Sequence, residues 1–304
     1  MDWFSLSEKD GGKVVSMAID KYIHVIVSKR FDDRVRVSYS SLEIVDDFED
    51  LNHELVRESM RVTGVTSGVE ITTIADIPSK GTGLGSSSTV TVGLLNALHK
   101  FAGHDASPQQ LAEEACMIEI DILGQPIGRQ DQYAAAFGGI NSISFDTEGV
   151  HVRPIATSCE SSIEEGFTLV FTGLTRSASD VLREKPDNYD DKIGRLRKIR
   201  NQADLAETLL KSCDLNNLGR LIGEAWEIKR GISESVSADE IDSLHQDIMS
   251  MGATGAKLLG AGGGGFFLVH GDSSLRGRLL DLDSENRLIS VGLDKKGSTI
   301  IFEG

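Results

Sequence analysis

Three short stretches of this sequence hold residues whose types and spacing are suited to handling phosphate. The first reads Pro78-Ser79-Lys80-Gly81-Thr82-Gly83-Leu84-Gly85-Ser86-Ser87-Ser88. Glycines at alternate positions let a backbone turn sharply and bring successive N–H groups to one anion. A helix starting at the serines would aim its free N–H groups and positive dipole end at the same place. Serine hydroxyls in its first turn can bond a phosphate oxygen or ligate Mg²⁺, a hard cation that prefers oxygen. A Gly/Ser turn also serves simply to cap a helix, and the spacing is neither Walker A nor Gly-x-Gly-x-x-Gly.

The second stretch runs from Glu119 to Asp131 and includes Gly124-Gln125-Pro126-Ile127-Gly128-Arg129-Gln130. One carboxylate ends an amphipathic helix, a Gly/Pro turn follows, and a second carboxylate opens the next helix. Phosphoryl transfer uses such a pair, one acid to hold metal and one to orient or deprotonate the attacking hydroxyl. Out of context, two acids at this spacing also fit an ordinary solvated pair. The third stretch is Gly255–Gly265, ending in four consecutive glycines before Phe266-Phe267-Leu268-Val269. Such a run is conformationally costly and suits a place where another backbone or a ligand approaches closely.

The elements that would position these stretches follow from hydrophobic period. Strands are expected over Lys13–Ile19, Tyr22–Lys29, Arg34–Tyr39 and Val69–Ala75, with a helix over His53–Val62. Val90, Leu94, Ala97, Leu98 and Phe101 recur at helical spacing after the serines, and further helices are expected over Pro108–Ile120 and Asp131–Phe137. Short strands fill Ile140–Ile155, and Ser158–Glu165 is the candidate linker, which gives domains 1–163 and 164–304. Beyond it come a strand at Phe167–Phe171 and helices at Tyr189–Ser212, Leu215–Ile232 and Ala238–Met251. Strands at Gly265–His270 and Ser298–Phe302 flank a last helix near Ser274–Leu282. Strands and helices that do not strictly alternate indicate two α+β domains.

The 304 residues are 39% hydrophobic and 26% charged, an ordinary globular balance. With 31 Lys plus Arg against 47 Asp plus Glu, the formal charge is −16, which argues against nucleic acid and membrane partners. Cys116, Cys159 and Cys213 form no disulfide framework and lack zinc-ligand spacing; reduced thiols are expected. No apolar run approaches a membrane span and no leader pattern opens the chain, so a cytoplasmic location is expected.

Taken together, the three stretches resemble the signatures of the GHMP kinases, the family of galactokinase, homoserine kinase, mevalonate kinase and phosphomevalonate kinase. Pro78 followed by Gly83–Ser87 reproduces a Pro-x-x-x-Gly-Leu-Gly-Ser-Ser motif, Lys257–Phe267 matches a Gly-rich turn before a buried strand, and Gly124-x-Pro126-x-Gly128-x-x-Asp131 is similar to galactokinase. The resemblance runs from Gly11 onward. It implies an ATP- and Mg²⁺-dependent phosphotransferase with an alcohol acceptor. The implied fold is an N-terminal domain like domain 2 of ribosomal protein S5, followed by a ferredoxin-like C-terminal domain. By the same resemblance, Lys80, Gly81, Gly83, Leu84, Gly85, Ser86, Ser87 and Ser88 would wrap the ATP phosphates, and Ser87 and Glu119 would ligate Mg²⁺. Asp131 would face the acceptor hydroxyl as base or orienting group, and Gly262, Gly263 and Gly264 would line the floor beside the acceptor.

Within the family, Ala18–Tyr22, Arg34–Ser40, Ile74–Pro78 and Thr172–Ala178 are similar to the bacterial D-glycero-D-manno-heptose 7-phosphate kinases. That implies a small-molecule sugar phosphate as partner, phosphorylated at its anomeric hydroxyl. Arg176, Arg129, Lys80 and Lys21 are the cations expected near the substrate phosphate. A galactokinase- or fucokinase-like enzyme, a kinase of a non-sugar alcohol, and a non-catalytic nucleotide- or sugar-binding regulator are the alternatives; a homo-oligomer stays open. The family opens with a strand and turn of the kind Pro-x-Arg-Ile-x-x-x-Gly-Gly-Gly-x-Asp that binds the sugar. This sequence opens at Met1-Asp2-Trp3-Phe4, past where that segment ends. The first strand and its acid are therefore expected to be missing, through a displaced start or a truncation.

Overall fold

The computed structural model describes residues 11–77, 81–175, 189–233, 236–280 and 288–304. They fall into two compact units, each discontinuous in sequence. One unit holds the chain up to Asp20, Lys80–Leu84 and Ile140–Leu293; the other holds Lys21–Ser79, Gly85–Gly139 and Asp294–Gly304.

The first unit begins with β1 (Gly12–Met17), which pairs antiparallel with β6 (Ile140–Asp146), itself paired with β7 (Gly149–Pro154). After α5 (Glu160–Gly166) comes a second sheet, built from β8 (Phe167–Phe171), β9 (Gly255–Leu258), β10 (Phe266–His270) and β11 (Leu288–Ser290). Its order is β11-β8-β10-β9 with every pairing antiparallel, the ferredoxin-like arrangement that was expected. Between β8 and β9 lie α6 (Tyr189–Lys211), α7 (Leu215–Arg230) and α8 (Asp239–Ser250); α9 (Leu275–Leu279) precedes β11. Trp226 of α7 is fully buried and meets Phe267 of β10 edge to face, with ring centroids 5.7 Å apart.

The second unit has a mixed sheet in the order β2-β5-β3-β4: β2 (Ile23–Lys29), β3 (Val35–Ser38), β4 (Leu42–Val45) and β5 (Val69–Ala75). β3 and β5 are parallel, with α1 (Glu54–Thr63) in the connection between β4 and β5. Alternate apolar residues of the strands, Val35, Val37, Val69 and Ile71, pack against Val56 and Met60 of α1 and against Leu94 and Leu98 of α2 (Ser86–Phe101). α1 starts where His53 Nδ1 accepts from the Val56 N–H and stops at left-handed Gly64, an ordinary C-terminal device. α3 (Pro108–Cys116) and α4 (Gln130–Phe137) complete this unit.

Several expectations are corrected. Ser158–Glu165 is no linker: most of it is the N-terminal part of α5, because Cys159 and Ile163 are buried in one cluster with Ile155, Phe167 and Leu169. The same cluster draws Val15, Met17 and Ile19 together with Phe266 and Leu268, so the compact units differ from the contiguous 1–163 and 164–304 division. Ser298–Phe302 has strand composition but forms no strand; Ile301 and Phe302 are exposed and pair with no strand among the described residues. Leu42–Val45, Gly255–Leu258 and Leu288–Ser290 are strands that were not expected, each too short for its alternation to register. Among the described residues, no helix is long and apolar enough to cross a membrane.

Candidate active site

The glycine-rich loop passes from one unit to the other between Leu84 and Gly85, and each half has its own surroundings. On the Gly85 side the loop becomes α2. Gly85 sits at the N-cap with left-handed backbone (φ 70°), the conformation that glycine adopts without penalty. A Cβ there would lie 3.0 Å from Cβ and Cγ of Asp131, so the missing side chain is what lets the acid lie against the start of α2.

The second acid reaches the same turn. Ser87, exposed, donates its hydroxyl proton to Glu119 Oε1 at 2.7 Å, and Gln132 Nε2 donates to Oε2 at 2.7 Å. Glu119 is 0% exposed. It lies on a wide turn, Met117–Ile122, that continues α3 as a π-helix, with Leu123 N–H bonding Ile118 O five residues back. Such turns are frequent at functional sites. Burial is the chief influence on Glu119 and raises its pKa, opposed by hydrogen bonds from Ser87, Ser88, Gln132 and Thr91.

Asp131 opens α4 and keeps some exposed surface. Burial pushes its carboxyl up to about 6, with the neighbouring Glu119 charge adding to the rise and Gln130 opposing it. A carboxylate held near neutral pH is suited to taking a proton from a hydroxyl.

On the other side the loop is held by backbone. Phe266 N–H donates to Thr82 O at 3.2 Å, and a Cβ on Gly83 (φ 74°) would come within 2.9 Å of Leu259 O. Lys229 of α7 donates from Nζ to Leu258 O at 3.0 Å and Gly260 O at 2.5 Å, bracing the stretch that touches Gly83. Burial, with the nearby Lys257 charge, lowers the Lys229 pKa to about 7.

The family of GHMP kinases N-terminal domains matches residues 51–139, the stretch holding the whole glycine loop and both acids. D-glycero-alpha-D-manno-heptose 7-phosphate kinase of Campylobacter jejuni is 30% identical over 293 residues, covering 90% of this chain and 85% of that protein. The chain belongs to the GHMP kinase family. In fold, this GHMP kinase is similar to the D-glycero-D-manno-heptose 1-phosphate kinase of Bacteroides thetaiotaomicron, with TM-score 0.80, 23% identity, and coverage of 98% and 94% of the two chains. Lactococcus lactis galactokinase is also similar in fold, with TM-score 0.74, 18% identity, and coverage of 97% and 92%. The expected two-domain α+β GHMP fold is thus the fold this chain has, and its activity is that of a phosphotransferase with an alcohol acceptor.

Within the GHMP kinase, the structure brings Gly85, Ser86, Ser87, Ser88, Glu119 and Asp131 together around the first turn of α2. Ser88 is buried and faces Glu119, and Leu84 packs its side chain into the first unit's apolar cluster. Gly262, Gly263 and Gly264 are buried with positive φ; Gly263 N–H donates to Val236 O, and a Cβ on Gly264 would meet Leu174 O at 2.7 Å. Their backbone is packed against protein rather than presented. Arg129 is exposed at the N-cap of α4, and Lys21 is half-buried. Pro78, Lys80 and Arg176 lie outside the described residues.

Sequence reasoning missed Gln132, which holds the second oxygen of Glu119, and Thr91, one turn into α2; neither belongs to a motif. It also missed Lys229, for which the only signal was a lysine ending an amphipathic helix. Among the described residues, no three His, Cys, Asp or Glu side chains cluster as a metal cage. Mg²⁺ takes one or two carboxylates and leaves its other positions to water and phosphate. The donor set here, one hydroxyl and one carboxylate bonded to each other, is all hard oxygen and fits that ion.

Proposed function

We propose that this protein transfers the γ-phosphoryl group of ATP, with Mg²⁺, to the anomeric hydroxyl of D-glycero-D-manno-heptose 7-phosphate. The observation that carries the reading is the convergence of two buried-side acids on one helix start: Asp131 against Gly85, and Glu119 bonded to Ser87. The named relative at 30% identity supports the acceptor.

In this reading Gly81, Gly83 and Gly85 turn the loop so that its N–H groups and the N-terminus of α2 receive the phosphates. Ser87 and Glu119 would hold Mg²⁺, which when bound offsets charge on the phosphate oxygens. Ser87 is the outer of the two and meets the solvent, while Glu119 stands behind it and fixes the hydroxyl's direction. Asp131 orients the acceptor hydroxyl and takes its proton as the O–P bond forms, and ADP leaves with the electrons of the broken bond. Lys80, Arg129, Arg176 and Lys21 are the candidate cations for the acceptor's own phosphate. Gly262, Gly263 and Gly264 are assigned to the acceptor side by the family resemblance, and their tight packing suits a rigid floor. The working location is the cytoplasm, where both substrates of such a reaction occur.

The test is a panel of acceptors with ATP and Mg²⁺: heptose 7-phosphate, galactose, fucose and mevalonate. Turnover on heptose 7-phosphate, abolished by chelator and restored by Mg²⁺, is expected. Turnover on galactose or fucose alone would replace the acceptor, and tight nucleotide binding without turnover on any member would make the protein a regulator.

A further inference from the structure

Two of the three cysteines meet in the first unit, in a cluster that the phosphoryl-transfer reading does not use. Cys159 stands just before α5, and Cys213 just after the C-terminus of α6. Thr157 Oγ1 lies 2.9 Å from Cys159 Sγ and 3.6 Å from Cys213 Sγ, so both sulfurs converge on one oxygen. Ser158 Oγ lies 3.4 Å from Cys213 Sγ.

The protons of this cluster can be assigned. Thr157 gives its hydroxyl proton to Leu210 O at 2.9 Å and receives the Cys159 N–H at 3.3 Å. A hydroxyl has one proton, so toward the sulfurs Thr157 acts as acceptor. The Cys159 thiol and the Ser158 hydroxyl are then the donors available to Cys213. With Cys159 first among the causes and Ser158 next, the Cys213 thiol is brought down to about 7. Cys159 is 8% exposed, and burial is the main reason its own thiol is raised. One sulfur is thus accessible and ready to ionise, and its neighbour is protonated and sheltered. An attacking thiol and a resolving thiol differ in this way.

The backbone marks the same place. Cys213 has φ 56°, and among the described residues it is the one non-glycine with positive φ. A side chain there meets a steric cost that ordinary backbone does not carry. The position ends a helix, where glycine or asparagine would avoid that cost.

We propose that Cys159 and Cys213 are a redox-active dithiol that a hydroperoxide converts to a reversible disulfide. The Cys213 thiolate attacks the peroxide oxygen, the O–O bond breaks, and the departing oxygen leaves as water with the proton that Cys213 gave up. Cys213 is then a sulfenic acid. The Cys159 sulfur attacks the Cys213 sulfur, the S–O bond breaks, and hydroxide leaves as water with the Cys159 proton. Two thiols and one hydrogen peroxide give one disulfide and two waters. The bond would tie the residues before α5 to the end of α6.

The full-length protein is treated with stoichiometric hydrogen peroxide and followed by intact mass, iodoacetamide labelling and peptide mapping. The expected result is a loss of two hydrogens, two thiols that no longer alkylate, a cross-link between Cys159 and Cys213, and full reversal by dithiothreitol. Before oxidation, Cys213 should alkylate at pH 7 faster than Cys116, which is buried. In Cys159→Ser, oxidation should stop at a Cys213 sulfenic acid captured by dimedone; Cys116→Ser should behave as wild type. Oxygen uptake at Cys213 without loss of the Cys159 thiol, or a cross-link to Cys116, would overturn the proposal. The wild-type map decides it alone if a variant fails to fold.

Discussion

Upstream of Leu84 the glycine-rich loop rests on backbone, and downstream of it the loop rests on acids. Gly83 nearly touches Leu259 O, and Thr82 accepts a hydrogen bond from Phe266; no ionisable group takes part in either contact. Gly85 instead makes room for Asp131, and Ser87 bonds Glu119. The first half is a matter of shape, in which a wrong side chain is felt as strain whatever the pH. The second is a matter of charge, in which shape-conserving substitutions and protons have their effect. Glycine serves both halves for the same steric reason but toward different ends.

The sharpest way to break the comparison is at Asp131. Asp131→Ala should lower turnover by about 10²-fold or more, the range for a general base or orienting group, while nucleotide affinity stays within a few-fold. Steady-state kinetics beside a binding titration would check it, and equal turnover would remove Asp131 from the reaction. Next in size is the backbone half. Gly83→Val should destabilise by about 2 kcal/mol or more, because a left-handed φ and a close carbonyl add together. Gly103→Val is the control, with φ 85° but nothing within 4 Å of its Cβ. Its smaller fall in denaturation midpoint measures φ alone, and equal falls would mean that the Leu259 contact is inert.

The smallest expected effect comes from protons on the acidic half. With Asp131 at about 6, turnover should decline as pH falls through that value, and Asp131→Asn should lack this limb. Stability runs the other way. The folded pKa is raised above the unfolded value, so folding favours the protonated form, and that contribution is lost as pH rises through about 6. Asp131→Asn should therefore be more stable than wild type at pH 7, on the order of 1 kcal/mol since the carboxyl keeps some solvent, and no more stable near pH 4. Urea midpoints of both proteins at the two pH values measure the difference; a gap that persists at pH 4 would have another cause.

What was legible in the sequence was what local rules control. The start of α2 was readable because alternating glycines before serines have few other uses, and Asp131 because a Gly/Pro turn fixes where the next helix opens. The ferredoxin-like sheet was only partly readable: Phe266–His270 is a plain buried strand, but Gly255–Leu258, its antiparallel partner, is four residues long and too short for a strand pattern to register. Ser158–Glu165 was misread because Ile163 alone anchors α5, and one apolar residue makes no period. Ser298–Phe302 failed in the opposite sense, since strand propensity alone, without burial or pairing, yields no strand. Gln132 was invisible because its part depends on where the wide turn delivers Glu119.

That wide turn makes Glu119 unusually sensitive to insertion and deletion. A residue added to or removed from a regular helix rotates everything beyond it by about 100°. Met117–Ile122 already accommodates one extra residue per turn. Deleting one residue there would let the segment relax into regular α-helix and still satisfy its hydrogen bonds, so folding need not suffer. The carboxylate, though, would swing out of reach of Ser87 and Gln132. Chain-length variants in these six positions would separate folding from the proposed metal handling more cleanly than any exchange of side chains.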